Sequence, residues 1–193
     1  MSDTKTASSS RIPTAQLVLC ALFAALTAVC AQIIIPIGPV PVSLSLLPVL
    51  LCGALLETRY ALLSMAVYML LGLAGAPVFS NLTGGAAKLF GVTGGYIIGY
   101  LPCVALTAML IRKWGRAYWK QCLAMAIGVI VCYAFGTAWF MVVYARKTGP
   151  IGLGTALGWC VFPYLLPDAV KIALASVLTT RLYPLLSREV KAA

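Results

Sequence analysis

"TAQLVLCALFAALTAVCAQIII", residues 14–35, is the stretch that decides the fold. It carries 22 residues without a formal charge. The apolar core of a cleavable signal peptide runs to about 7–15 residues, whereas a bilayer-spanning helix needs about 20. The run therefore predicts a retained membrane-spanning helix. Within it, Ala21 and Ala25, and Ala24 and Ala28, form two small-x-x-x-small pairs. Such pairs make a smooth stripe on which a neighbouring helix can pack closely, from the same chain or from another subunit.

The rest of the chain is built in the same way. Of its 193 residues, 62% are hydrophobic and only 9% are charged. Soluble domains use about 45–50% apolar residues, and a chain of this length has too little interior to hide the excess. Lipid must serve as its solvent. Residues 1–13, "MSDTKTASSSRIP", read as a disordered or interfacial segment before a single membrane domain spanning 14–193. After the first run, "PIGPVPVS" (36–43) breaks the helix with three prolines. Apolar runs then follow at Leu44–Leu56, Tyr60–Ala74, Val92–Ile111, Gln121–Tyr144 and Pro167–Leu186. Six helices are predicted, in an all-α integral membrane bundle.

Charge sets the expected orientation. With six spans and both termini cytoplasmic, ten of the fourteen Lys and Arg residues fall on the cytoplasmic side. Lys88, Arg146 and Lys147 fall outside, and Lys171 lies within the last helix. That bias obeys the positive-inside rule, and an odd number of spans would spoil it. The net charge of +10 is thus a topological signal. No continuous basic face with interleaved aromatics suggests nucleic acid.

Several chemistries are excluded by what the chain lacks. Seven cysteines are scattered through apolar runs with no C-x-x-C pair, and there is no histidine. They read as small packing residues, and no metal site or other cofactor is expected. "GGAAK" (84–88) lacks the spacing of a phosphate-binding P-loop, so ATP is not expected to bind. Few acid and base groups remain for an intramembrane enzyme, and no enzymatic activity is predicted.

The exception to this apolar character is "PYLLPDAVKIALASVL", residues 163–178. Asp168 and Lys171 are three positions apart and share one helix face. Pro167 reads as the first residue of the last helix, placing Asp168 in its first turn, where the helix dipole favours an anion. The pair could merely neutralise itself at headgroup level, where an exposed ion pair contributes under about 1 kcal/mol. It could instead mark a polar site open to the outside, since ionisable groups at membrane depth usually serve function. The connection "GAPVFSNLTGGAAKLFG" (75–91) offers polar side chains and a double glycine at the same end. Asn81 suits either an amide-like ligand or a tight turn. Gly91, Gly95 and Gly99 in "GVTGGYIIG" read as a helix-packing face.

The stretches "GPVPVSLSLLPVLLCGALL", "GLAGAPVFSNLTGGAAKLFGVTGGYIIGY", "FGTAWF" and "FPYLLPDAVKIALA" resemble the BioY family, in family order from Gly38 to Ala175. BioY proteins are the biotin-specific substrate-binding (S) components of energy-coupling-factor vitamin transporters. The resemblance implies a compact six-helix bundle in the plasma membrane with a biotin pocket facing outward. It also implies partners: a transmembrane coupling subunit docking on Ala21, Ala24, Ala25 and Ala28, and two ATPase subunits. The substrate-binding residues it implies are Asn81, Gly84, Gly85, Tyr96, Asp168 and Lys171, joined by Lys88, Thr93 and Trp139 as further candidates. Where the family often has Gly-Pro-Thr-Gly-Gly, this chain has Gly91-Val92-Thr93-Gly94-Gly95, and Pro-Gly-Asp becomes Leu166-Pro167-Asp168. Alternatives are an S component for a different vitamin, a stand-alone carrier of a small organic anion, or a structural scaffold.

Overall fold

The computed structural model describes residues 14–35 and 42–192. Residues 1–13, with Lys5 and Arg11, and the first prolines after the opening helix lie outside them, as do the side chains of Arg188 and Lys191. The described chain is helical, with one small hairpin. Its six main helices are α1 (Thr14–Cys30), α2 (Leu46–Leu55), α3 (Thr58–Leu73), α5 (Gly94–Trp114), α6 (Tyr118–Lys147) and α8 (Phe162–Ala192). Two short helices, α4 (Ala86–Leu89) and α7 (Leu153–Cys160), lie in the connections. Gly94–Trp114, Tyr118–Lys147 and Phe162–Leu186 are each long and apolar enough to cross a bilayer, while α1, α2 and α3 are shorter apolar helices.

The most uniformly apolar helix occupies the middle. α2 is hydrophobic all round, the pattern of a buried helix, and Pro48 through Ala54 are all buried. It packs against α1, α3, α5 and α8. Val49, Leu50 and Cys52 meet Val104, Ile111, Met125 and Val129 in the main core. α1 instead keeps Val18, Leu22 and Val29 on an outer face, which suits contact with lipid.

The pair α5 and α6 makes the most extensive contact in the bundle. Glycines set its closeness. A Cβ on Gly95 would lie 2.3 Å from the Trp139 side chain, and one on Gly136 would lie 2.3 Å from the Tyr96 ring. The expected packing role of Gly95 and Gly99 is seen directly, since Gly99 abuts Cys132. Gly91, however, precedes α5 and packs on the carbonyl of Ala87, so it is not part of that helix face.

Two boundaries differ from expectation. The first helix ends at Cys30, and β1 (Ile34–Ile35) pairs antiparallel with β2 (Val42–Ser43). The Gln32 side chain caps this change of direction, donating to the carbonyls of Ala28 at 3.1 Å and Phe79 at 3.0 Å. The last helix starts at Phe162, one residue after α7, so Pro167 lies inside it and no acidic residue falls in its first turn. Pro163 takes the early position where a missing N–H is tolerated. The helix dipole therefore does not account for Asp168.

Candidate functional site

Asp168 and Lys171 are 5% and 7% exposed, so neither faces bulk solvent or lipid. At that burial their charges need partners. Lys171 Nζ lies 2.7 Å from Asp168 Oδ1 and donates to the Ser43 carbonyl at 2.7 Å. The other carboxylate oxygen, Oδ2, accepts from the Tyr133 hydroxyl on α6. The network continues nearby: Ser43 Oγ and Ser45 Oγ are 2.6 Å apart, and Ser45 Oγ is 2.6 Å from the Tyr100 hydroxyl. Four segments (β2, the start of α2, α5 and α6) thus converge on a pair carried by α8.

All of these residues except Ser45 line a cavity of about 120 Å³. It sits where α5 begins, against the middle of α6, with Ser43 of the hairpin and the loop before α5 contributing to its walls. Its walls include Ser43, Tyr96, Tyr100, Tyr133, Tyr164, Asp168 and Lys171, with apolar surface from Leu46 and Ile97. Lys88 and Thr93 also reach it. Its charged side chains are two ammonium groups and one carboxylate, a net positive set suited to a small anion carrying amide-like donors. A mostly apolar hollow with a few convergent polar groups is the usual form of a small-molecule site.

The cavity brings together Lys88, Thr93, Tyr96, Asp168 and Lys171 from the expected set, but not the other four. Asn81 is exposed at a loop tip with φ 63°, followed by Leu82 with φ 51°. This is the tight turn between the bridged residues Phe79 and Thr83; Ser80, its neighbour, lines the cavity instead. Gly84 is a close-packing position, since a Cβ there would lie 2.3 Å from the Ala76 carbonyl. Gly85, with φ 87°, directs its N–H to the Gly72 carbonyl at 2.6 Å. Trp139 donates from Nε1 to the Gly91 carbonyl at 3.0 Å, holding the α4–α5 loop against α6. Along α1, Ala24 is buried within the bundle while Ala21 and Ala25 are exposed. The stripe is therefore split between inner packing and an outer face.

Sequence reasoning missed Ser43, Tyr100 and Tyr133, whose partners lie on other segments of the chain. Tyr100 and Tyr133 left a trace, each as a hydroxyl within an apolar helix.

The family profile of BioY matches residues 3–188. The chain belongs to the BioY family. It is 40% identical over 164 residues to the probable biotin transporter BioY of Pyrococcus horikoshii, covering 85% of this chain and 93% of that one. It is also 35% identical over 169 residues to the biotin transporter BioY of Thermotoga maritima, covering 86% and 95%. The fold matches the crystal structure of an S-component for biotin from an ECF-type ABC transporter, with a TM-score of 0.80 at 27% identity. That match covers 91% of this BioY-family chain and 94% of the solved one.

Proposed function

We propose that this BioY-family chain binds biotin at the Asp168–Lys171 cavity and delivers it inward as the S component of an energy-coupling-factor transporter. The observation that carries the reading is the buried pair at the wall of a net-positive hollow. Biotin offers what that hollow lacks: a carboxylate for an ammonium group, and ureido N–H groups for a carboxylate. Two of the three N–H donors of Lys171 are committed among the described residues, leaving one to meet the ligand. Asp168 accepts from the ureido ring, Lys171 or Lys88 meets the valerate carboxylate, and Tyr96 and Tyr100 enclose the bicycle. Asn81 and its turn reach the ligand only as the loop closes over it.

The six main helices all span the plasma membrane, with both termini cytoplasmic and the cavity outward. The clustering of Arg112, Lys113, Arg116 and Lys120 at the opposite end of α5 and α6 supports this orientation. A coupling subunit docks on the exposed part of the α1 stripe, at Ala21 and Ala25, and two ATPase subunits supply the energy. Calorimetric titration of the purified protein with biotin tests the reading. Nanomolar-range binding is expected, weakened at least tenfold by Lys171→Ala. Absence of heat and of any thermal shift with the wild type would overturn it.

A further inference from the structure

We propose that Tyr133 is a positioning residue: its hydroxyl fixes the Asp168 carboxylate for the ligand, and its ring separates the polar cavity from an apolar crevice on the flank of the bundle. The proposal rests on the biotin reading above.

The hydroxyl comes first. Tyr133 donates to Oδ2 of Asp168 from a different helix, 35 residues away in sequence, while Lys171 holds Oδ1. A carboxylate gripped at both oxygens from two directions has one orientation. Without the Tyr133 hydroxyl, Oδ2 would be a buried acceptor lacking its donor, and the group would be free to turn towards Lys171. Its geometry towards the ligand would then be lost before binding begins.

The ring supplies the second half. Tyr133 lines both the cavity and a second hollow of about 420 Å³. That hollow lies between one row on α6, including Ile130, Ala134 and Ala138, and another formed by Leu157 on α7, Val161 at the junction and Leu165 on α8. The two hydroxyls along its α6 wall turn away from it. Tyr133 bonds to Asp168, and Thr137 Oγ1 lies 2.9 Å from the Tyr96 hydroxyl. One face of the Tyr133 ring thus meets hydrocarbon and its tip meets the ion pair. It keeps apolar chains from the crevice out of the polar hollow.

The two functions separate by substitution, read in biotin titrations of the full-length protein. Tyr133→Phe keeps the ring and removes the hydroxyl; about a tenfold loss of affinity is expected. In an Asp168→Asn background the same change should cost less than twofold, because the hydroxyl acts through that carboxylate. If the Asp168→Asn protein binds too weakly to titrate, the cycle is read in melting temperatures without ligand, where the Tyr133→Phe shift should be smaller than in the wild type, because a neutral amide oxygen accepts more weakly than a carboxylate. Tyr133→Ala, which also removes the partition, should lose at least a further tenfold. Wild-type affinity in Tyr133→Phe, or additive effects in the cycle, would overturn the positioning role and leave the biotin reading intact. Equal losses in Tyr133→Phe and Tyr133→Ala would overturn the partition. A wild-type protein that does not bind biotin would remove both proposals.

Discussion

Two levels of the α5–α6 pair use glycine for different purposes. Midway along it, a Cβ on Gly128 would lie 2.5 Å from Thr107 Oγ1 and 3.0 Å from the Cys103 carbonyl. There the missing side chain lets α6 sit directly against the Thr107 hydroxyl and the α5 backbone at Cys103. At the cavity end, Gly136 and Gly95 lie against the Tyr96 ring and the Trp139 side chain. There the missing side chain makes room for aromatics whose polar tips hold Thr137 and the loop carbonyl of Gly91. The polar groups differ likewise. At the basic end the Arg116 guanidinium stacks 3.3 Å from the Tyr183 ring centroid and donates to the Ala54 carbonyl at 2.9 Å. It closes a joint. At the cavity end an ammonium and a carboxylate converge on open space. One end is closed by its own residues, while the other leaves charged groups facing a hollow.

The largest effect should come from breaking the charge balance at the open end. Lys171→Ala strands a carboxylate that is 5% exposed, and removing one partner of a buried pair costs about 3–5 kcal/mol. Replacing both, as Asp168→Leu with Lys171→Met, removes the two charges together and should recover most of that loss. The melting temperature of the double variant should approach the wild type while biotin binding stays absent. No recovery of the melting temperature would mean that the pair itself holds this end together.

How much of this contrast the residues disclosed in advance depends on the range of each contact. The six apolar runs were legible because burial in lipid or in a core needs only local hydrophobicity. Asp168 and Lys171 were legible because three residues along a helix bring them to one face. α7 was not, since "LGTALGWC" carries two glycines and resembles a loop until packed under α6. The short strands were hidden by the apolar stretch that feeds them. Ser43 was invisible for another reason: its carbonyl meets Lys171 across 128 positions, and a backbone acceptor leaves no mark in a sequence. Asn81 was ambiguous between ligand contact and turn, and the structure places it in a left-handed turn at the surface.

A sharper test compares glycine with glycine. Gly128→Ala and Gly136→Ala each force a methyl group into occupied space and should destabilise by about 1–3 kcal/mol, less the fraction of a kcal/mol that alanine returns to a helix. Their effects on ligand should diverge. Gly136→Ala must push the Tyr96 ring into the cavity and should weaken biotin several-fold, whereas Gly128→Ala should leave affinity within twofold. Thermal melts and titrations on the same preparations separate the two quantities.

The smallest effect is expected at the closed end. Arg116→Lys keeps the charge but loses the planar group that stacks on Tyr183 and reaches Ala54, and lysine does not reproduce that geometry. A stacked cation and a hydrogen bond in a half-buried setting together contribute about 1–2 kcal/mol. The melting temperature should fall by a few degrees, and Tyr183→Leu should fall similarly without adding to it in the double variant. Biotin affinity should not move, because this joint shares no side chain with the cavity. A loss of affinity on Arg116→Lys would show instead that the ends are coupled through α5 and α8, and that closing one helps to shape the other.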